Sequence, residues 1–431
     1  MTRSKQSAGR RLSVITIDQV IAGASNVLIA VLAARVLGVE SFGLFGVVFL
    51  VYVTAQYVSR ALVCEPLLVH PTEARERAGE VIGTASLLGL GIAGLVGLSA
   101  LAAGLWDQRL AAGLFVLALC MPLLVLQDLG RFLGFATQRP SLAVTLDVTW
   151  LVVMVGAVAA LFTTDARTLA WFIVAWAGPG AAAGVLLFWQ HRGHRIRLNI
   201  GWLRETWPFA SRYLLSYSAT QGAALVGSIG LGVISGARAL GAVRGALLLM
   251  RPFVTFQTAA IAGGVAEVSN SAPDRAGLRK HVRKTTVLTT AVGALNMVIL
   301  LILPDQAGEA VLGDTWQATK SLLLPAGVQM VALGLISGVR SALLGQRAIR
   351  TAVRIDVAAT VIVLAATLGG AVVNGALGAW WAVAVGQFVV AAIWWVVYLR
   401  RASERSLAAA SAIGAAAEPP ASGSLANENL A

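Results

Sequence analysis

The stretch RFLGFATQRPSLAVTLDV, residues 131–148, has a counterpart in RSALLGQRAIRTAVRIDV, residues 340–357. In both stretches an arginine comes first, an aspartate stands sixteen positions later, and a valine follows the aspartate. Both stretches join one long apolar run to the next, and the second copy begins 209 residues after the first. A shorter echo links GVESFG at 38–43 with GARALG at 236–241. The sequence therefore predicts an internally duplicated protein with a matching hairpin in each half.

The charges of the repeated hairpin are predicted to pair with each other. Arg131 and Arg340 each end an apolar run, while Asp147 and Asp356 each begin the next run. An isolated charge near the bilayer core is costly, so an arginine and an aspartate at the two ends of one turn stabilise each other. We interpret both pairs as structural ion pairs, in preference to groups that carry protons or contact a substrate.

The composition is that of an integral membrane protein. Charged residues make up 12% of the chain and apolar residues 58%, and the mean hydropathy is +0.79. A transmembrane helix needs about 20 mostly apolar residues, and the stretches that meet this requirement are 14–36, 43–64, 81–105, 110–135, 143–162, 169–189, 207–235, 246–268, 285–303, 321–344, 355–374 and 379–399. The predicted fold is all-α, with twelve transmembrane helices in two pseudo-symmetric six-helix lobes around a central cavity. Membrane duplications of this kind are typical of transporters.

The distribution of lysine and arginine predicts the orientation in the membrane. If the amino terminus is cytoplasmic, the segments on that side hold 22 lysines and arginines, whereas the outer loops hold Arg109, Arg167, Arg238, Arg244 and Lys320. Cytoplasmic loops carry such an excess of positive charge, so both termini are predicted to be cytoplasmic. The net charge of +13 is then a consequence of topology rather than a sign of nucleic-acid binding.

The apolar pattern divides the chain into four parts. Residues 1–13 form a cytoplasmic amino terminus, 14–200 the N-lobe and 201–402 the C-lobe. Residues 403–431 are rich in alanine and serine and are predicted to form a disordered cytoplasmic tail, because such a segment buries little apolar surface. The two cysteines lie in or beside apolar runs, so no disulfide framework is expected.

Polar side chains follow one face of a few of the predicted helices. They recur at four-residue steps on helices 2 and 7, and helices 1 and 8 carry isolated charges; the residues concerned are Tyr52, Gln56, Arg60, Arg212, Tyr217, Gln221, Asp18 and Arg251. A polar face turned toward lipid would lack partners, so helices 1, 2, 7 and 8 are predicted to surround an aqueous cavity. For the hydroxyl groups on these helices, hydrogen bonds between neighbouring helices are the simpler interpretation.

Depth in the membrane distinguishes the charged residues of this cavity. With Gly43 and Gly241 taken as the equivalent outer ends of helices 2 and 8, Arg251 lies ten residues in, about 15 Å at the helical rise and therefore near the midplane of a core about 30 Å thick. Arg60 and Arg212 lie nearer the inner ends of their helices, from which they can reach the headgroups. We therefore expect Arg251 to be the principal substrate contact. Asp18 is predicted to be an ion-coupling carboxylate or, more simply, the counter-ion of an arginine.

Three longer stretches resemble a known family. AARVLGVESFGLFGVVFLVY at 33–52, GVISGARALGAVRGALLLMRPF at 232–253 and AVLGDTWQATKSLLLPAGVQMVALGLISGVRSALLGQR at 310–347 are similar to the polysaccharide-export branch of the multidrug/oligosaccharidyl-lipid/polysaccharide flippase superfamily. The resemblance implies a bacterial-type plasma membrane protein that flips a polyprenyl-pyrophosphate-linked oligosaccharide or related glycolipid by alternating access. It also implies a lipid-linked glycan and the lipid bilayer as partners, with polysaccharide assembly proteins as further candidates. Guanidinium groups suit such a substrate because they bind phosphate oxygens bidentately.

Two other function classes are weighed against this interpretation. A multidrug-type ion-coupled exporter of small cations favours acidic groups in its cavity, and Asp18 alone is available among the polar positions above. A membrane glycosyltransferase or polymer ligase generally needs a large extracytoplasmic loop or an Asp-x-Asp metal motif, and the sequence contains neither. The chain also lacks a phosphate-binding glycine-rich loop followed by lysine. No enzymatic activity, cofactor or metal is therefore predicted.

Overall fold

The structure is a computed structural model that describes residues 27–417 except 70, 138, 165–166, 272–273 and 347. Every regular element within these residues is helical. They are α1 (Val27–Val36), α2 (Val39–Ser59), a π-helical turn (Arg60–Cys64), α3 (Glu65–Val69), α4 (Pro71–Glu76), α5 (Ala78–Gly104), α6 (Gln108–Ala136), α7 (Pro140–Thr163), α8 (Leu169–Gln190), α9 (Gly201–Ser271), α10 (Arg275–Leu301), α11 (Asp305–Leu312), α12 (Thr315–Lys320), α13 (Leu323–Gly345) and α14 (Ile349–Ala417).

The number of helices long enough to cross a membrane agrees with a multi-pass protein. In the described part of the chain, nine helices are long and apolar enough to do so, and α1 is a shorter apolar helix. Two of the nine, α9 with 71 residues and α14 with 69, are long enough for two crossings each. The all-α transmembrane fold class is therefore confirmed, while the count of twelve crossings stays a prediction.

The bends in α9 and α14 occur at glycines that adopt left-handed backbone angles. Gly236 in α9 has φ 81°, and Gly375 in α14 has φ 55°. Residues with a Cβ rarely adopt such angles, so glycine turns the chain there without a loop. The apolar runs 207–235 and 246–268 predict a ten-residue connection between them, and this prediction is wrong because α9 resumes directly at Gly236. We call 201–235 the first arm of α9 and 236–271 its second arm.

The carboxyl end of the chain also differs from its prediction. α14 continues to Ala417, so residues 403–417 are helical where a disordered tail is predicted. This segment is dominated by alanine, which has the highest intrinsic helix propensity and extends an existing helix without a new nucleus. Residues 418–431 lie outside the described residues.

The helices pack mainly within their own half of the chain. In the first half (residues 27–200), α6 packs against α5, α7 and α8; in the second half (201–417), α13 packs against α9, α10 and α14. The main contact between the halves joins α2 to α9. Large side chains of the first half, such as Phe45, Phe172 and Trp176, are almost fully buried at the side of α2 that faces α8. The positions of α2 and α9 therefore determine how the halves meet.

Glycines allow α2 and the second arm of α9 to approach at backbone distance. A Cβ added at Gly43 would overlap the carbonyl oxygen of Ala237 and lie 2.6 Å from the backbone nitrogen of Gly241, and a Cβ added at Gly241 would overlap the carbonyl oxygen of Val39. Val39 and Gly43 occupy the same places in GVESFG as Ala237 and Gly241 in GARALG. The contact is therefore symmetric: Gly43 faces the carbonyl of Ala237, and Gly241 faces the carbonyl of Val39. We call this contact the glycine crossing.

We expect Gly241→Ala to destabilise the protein because its methyl group has no space in the glycine crossing. Overpacking of this kind costs about 1–3 kcal/mol. The matched control is Gly97→Ala on α5, where no atom lies within 4 Å of an added Cβ and alanine is favoured by about 0.5–1 kcal/mol over glycine in a helix. Thermal unfolding of the purified proteins in detergent measures both changes. A melting temperature for Gly241→Ala that equals or exceeds that of Gly97→Ala would contradict the close crossing.

Candidate functional site

A cavity of about 180 Å³ lies within the first half, between α2, α6, α7 and α8. The cavity is lined by Tyr52, Gln56 and Arg60, the polar residues that recur at four-residue steps on predicted helix 2. The other lining residues are Phe49, Val53, Tyr57, Gln127, Arg131, Asp147, Trp150, Leu151, Met154 and Trp176. The structure thus brings the three predicted residues of helix 2 into one polar cavity. The helices opposite them are α6, α7 and α8, whereas the sequence predicts helices 7 and 8 of the second half. We call this space the N-cavity.

Aromatic rings form one wall of the N-cavity. The ring of Tyr52 meets Trp176 edge to face at 5.0 Å and Trp150 edge to face at 6.4 Å between centroids, and Phe49 lies 5.5 Å from Trp176. The Trp150 indole nitrogen donates to the carbonyl of Trp176 at 2.9 Å, which fixes its ring against α8. Edge-to-face packing holds such rings in defined orientations. The wall is therefore rigid and apolar beside polar neighbours.

Arg60 is neutralised by an acid that the sequence analysis does not identify. Its Nε donates to Asp128 Oδ2 at 2.6 Å and its Nη2 to Asp128 Oδ1 at 2.8 Å, a bidentate pair. The Nη2 also donates to Gln56 Oε1 at 3.1 Å. Asp128 is fully buried. Asp128 therefore balances the charge of Arg60, and a contact between Arg60 and a substrate stays a prediction.

A signal for Asp128 exists in the sequence. It stands three residues before Arg131 within an apolar run, and residues at that spacing share a helix face. In the structure Arg131 Nη1 lies 3.4 Å from Asp128 Oδ1. The equivalent position in the second half is Ser337, which is uncharged. The acid therefore occurs in one half alone of the repeated hairpin, so a search for repeated charges does not find it.

The structure brings together both charge pairs of the repeated hairpin. Arg131 Nε lies 3.1 Å from Asp147 Oδ2, and Gln127 Nε2 donates to Asp147 Oδ1 at 2.8 Å. Arg340 Nη2 donates to Asp356 Oδ2 at 2.9 Å. The first pair is buried, with side chains 10% and 6% exposed, whereas the second is about 40% exposed. With Arg60 and Asp128 included, two arginines and two aspartates leave the N-cavity formally neutral.

A second cavity, of about 170 Å³, lies between the two halves. It is bounded by α1, α2 and the second arm of α9, and it is lined by Ile29, Ala30, Phe45, Phe49, Arg244, Leu247, Leu248, Arg251 and Val254. Phe49 lines both this space and the N-cavity, so the two adjoin. Arg251 thus lies beside helices 1 and 2, as its predicted position requires. We call this space the inter-half cavity.

Arg244 and Arg251 are the charged groups of the inter-half cavity. They stand seven residues apart, two helical turns, and so share one face of α9. Among the residues that the structure describes, neither has a carboxylate partner. The Arg244 guanidinium lies 5.0 Å from the Phe49 ring centroid, a cation–π contact. The sequence assigns Arg244 to an outer loop, and this assignment is wrong because α9 resumes at Gly236 and carries the residue along the cavity.

The side chains of four predicted site residues are not among those that the structure describes. The backbone positions of Arg212, Tyr217 and Gln221 lie in the first arm of α9, but their side chains are not described, and Asp18 lies outside the described residues. The sequence predicts a solvated cytoplasmic loop at His281, because the residue falls between the apolar runs 246–268 and 285–303, and the structure differs. It is buried within α10, with Nε2 at 3.1 Å from Ser341 Oγ and Nδ1 at 3.3 Å from Glu267 Oε2.

The sequence matches a known protein family, and the helical architecture is similar to that of solved transporters. Residues 31–321, more than half of the chain, match the model of the family described as polysaccharide biosynthesis protein, and the chain belongs to that family. No protein of curated function matches the sequence. The helical fold is similar to that of solved transporters of the multidrug/oligosaccharidyl-lipid/polysaccharide superfamily, and together with the family match this confirms the resemblance seen in the sequence.

Three solved structures illustrate the likeness of fold. An inward-facing multidrug resistance MATE transporter of that superfamily has a TM-score of 0.66 at 14% identity, covering 88% of this chain and 94% of its own. Lipid II flippase MurJ in an inward closed conformation has a TM-score of 0.65 at 11% identity, covering 89% and 87%. An outward-facing MATE transporter has a TM-score of 0.53 at 14% identity, covering 93% and 96%.

The two copies of the hairpin pair provide a matched stability test. We expect Asp147→Asn to lower the free energy of unfolding by about 3–5 kcal/mol, because it leaves one aspartate, Asp128, to balance the two buried arginines Arg60 and Arg131. Asp356→Asn removes the equivalent charge from a half-exposed pair, for which we expect about 0–1 kcal/mol. Equilibrium unfolding of the purified proteins measures both losses. Equal losses at the two sites would contradict the structural role assigned to the buried pair.

Proposed function

We propose that this multi-pass membrane protein flips a polyprenyl-pyrophosphate-linked oligosaccharide, or a related glycolipid, from the inner to the outer leaflet by alternating access. Membership of the polysaccharide biosynthesis family supports a glycan-linked substrate. The transporter fold supports movement between two conformations. On this proposal the protein resides in a bacterial-type plasma membrane with both termini in the cytoplasm.

The observation that carries the proposal is a pair of guanidinium groups in the inter-half cavity that contact no carboxylate among the residues that the structure describes. Arginine stays charged in proteins, and a charged group in a low-dielectric site is costly without a partner. Among the described residues, Arg60, Arg131 and Arg340 each contact a carboxylate, whereas Arg244 and Arg251 do not. A pyrophosphate supplies the missing negative charge, and its oxygens accept bidentate hydrogen bonds from guanidinium.

The N-cavity is suited to the uncharged part of the same substrate. The four charges at the N-cavity balance, so the space carries no net charge, and it is lined by the amides of Gln56 and Gln127 and the rings of Tyr52, Trp150 and Trp176. Aromatic faces pack against the apolar faces of sugar rings, and amide groups form hydrogen bonds with the hydroxyl groups of the sugars. Since Phe49 borders both cavities, a glycan in the N-cavity and its pyrophosphate in the inter-half cavity are adjacent.

The glycine crossing provides the element that has to open during transport. It joins the halves at the start of α2, the end that the charge distribution predicts to be outer. The greater similarity to an inward-facing MATE structure than to an outward-facing one supports an outer side that is closed here. Release of a glycolipid to the outer leaflet then requires α2 and the second arm of α9 to separate at these glycines.

A multidrug-type exporter remains the second candidate, because one of the similar folds is that of a multidrug transporter. An exporter of cationic drugs requires negative charge in the cavity. In the described residues, Asp147 lines the N-cavity and Asp128 contacts its lining arginines, so both acids are paired with arginine. The charge of the inter-half cavity therefore favours an anionic substrate.

We expect Arg251→Ala and Arg244→Ala each to reduce export of the glycan by about tenfold or more, because each removes a charge-assisted phosphate contact. Arg251→Lys keeps the charge but loses the bidentate geometry, so an intermediate value is expected. The assay is surface display of the glycan in a strain that lacks its own copy of the gene, with protein abundance in the membrane measured in parallel.

The matched control is Arg238→Ala. Arg238 lies on the same arm of α9, is exposed, and does not line the inter-half cavity. Its loss is expected to leave export unchanged. The proposal loses its main support if Arg244→Ala and Arg251→Ala both export normally at normal abundance, or if Arg238→Ala shows an equal defect. Either result would contradict a positively charged site that binds an anionic substrate.

A further inference from the structure

A groove of about 530 Å³ lies in the second half, between the first turns of α10 and the far end of α14. It is lined by Arg279, Val282, Arg283, Thr286, Val287, Trp395, Tyr398, Leu399, Ala402 and Ser403. Neither α10 nor α14 lines the N-cavity or the inter-half cavity. We propose that this groove binds an anionic phospholipid of the surrounding bilayer, with the phosphate at Arg279 and Arg283 and an acyl chain along the apolar wall.

The charge of the groove indicates an anionic ligand. Arg279 and Arg283 stand one helical turn apart on α10, so their guanidinium groups point to the same side. Both residues are exposed, and in the part of the chain that the structure describes neither meets a carboxylate. Lys280 and Lys284 flank them on the same helix, and Arg400 and Arg401 lie between the groove residues Leu399 and Ala402 of α14. The positive charge is thus concentrated on the two helices that border the groove.

The remaining wall of the groove suits the apolar part of a lipid. The rings of Trp395 and Tyr398 pack edge to face at 6.1 Å, and the Trp395 indole nitrogen donates to the carbonyl of Leu335 at 3.0 Å, which fixes this wall against α13. Val287 and Leu399 are 62% and 55% exposed. A free phosphate ion or a soluble anion gains nothing from these side chains, whereas an acyl chain covers them. The combination of two cations with exposed apolar side chains therefore favours a lipid.

The position in the membrane is consistent with a phospholipid headgroup. The start of α10 and the end of α14 are on the side that the excess of lysine and arginine predicts to be cytoplasmic. Anionic phospholipids of that leaflet attract basic segments by about 1 kcal/mol per cation, and tryptophan and tyrosine are enriched at the same depth. Basic pockets between transmembrane helices bind such headgroups.

Lipid binding to matched variants provides the test. We compare the wild type, the double variant Arg279→Gln/Arg283→Gln and the control Arg350→Gln/Arg354→Gln by native mass spectrometry after mixing with phosphatidylglycerol or phosphatidylcholine. Arg350 and Arg354 are also exposed, stand four residues apart and lie outside the groove, so the control removes the same charge. We expect the groove variant to bind phosphatidylglycerol about thirtyfold more weakly and the control to bind it like the wild type.

A second variant tests the groove without changing charge. Val287→Trp fills the space that we assign to the acyl chain and is expected to lower phosphatidylglycerol binding while both arginines remain. Equal losses in the two double variants, no effect of Val287→Trp, or equal binding of phosphatidylglycerol and phosphatidylcholine by the wild type would overturn the proposal. So would displacement of the bound phosphatidylglycerol by a polyprenyl pyrophosphate, which would assign the groove to the transported lipid.

Discussion

The backbone contact between α2 and the second arm of α9 is the constraint on which the joining of the two halves depends. Gly43 and Gly241 have no side chain between the helices, and each faces a carbonyl oxygen of the other half. Close approach of small residues is a main source of helix association in membranes, where lipid removes the hydrophobic driving force. One turn further along, a Cβ at Gly46 would lie 3.1 Å from Cδ of Arg244. The same glycine spacing thus leaves room for the arginine that enters the inter-half cavity.

The two halves keep a common hairpin but use it in different surroundings. Asp147 is buried and also accepts a hydrogen bond from Gln127, whereas Asp356 is half-exposed and contacts Arg340. Asp128 has no acidic equivalent, because Ser337 stands at that place and accepts from Gln257 Nε2 at 3.2 Å. The first half therefore builds a charged and balanced network around its cavity, while the second half has neutral hydrogen bonds at the corresponding level. The asymmetry agrees with distinct tasks for the halves.

The sequence was sufficient for the fold class and for the groups that repeat. Long apolar runs predict helices in lipid because no other local structure satisfies the backbone there, and a repeated arginine and aspartate at one spacing are readily recognised. The polar stripe of helix 2 was also visible. Periodicity shows which residues share a face, but it does not show which helix covers that face, and the partners α6, α7 and α8 were therefore not predicted.

The remaining errors have a related cause. Charged residues interrupt the apolar runs, so the sequence pattern predicts loops at Arg244 and His281, although both lie within helices. A charge ends a helix only where no partner or cavity accepts it, and that information is tertiary. Asp128 was missed for the same reason, since its partner Arg60 is 68 residues away.

The contrast between the two cavities bears on how transport avoids a leak. The N-cavity is neutral without a ligand, so it can be enclosed when empty. On the proposed function, the inter-half cavity holds Arg244 and Arg251 as like charges, and enclosing them in a low dielectric without an anion is unfavourable. Bound pyrophosphate cancels that charge and makes an enclosed intermediate accessible. On this proposal, passage between the inward and outward conformations is faster with substrate than without it, because the substrate neutralises a cavity that lies between the moving halves.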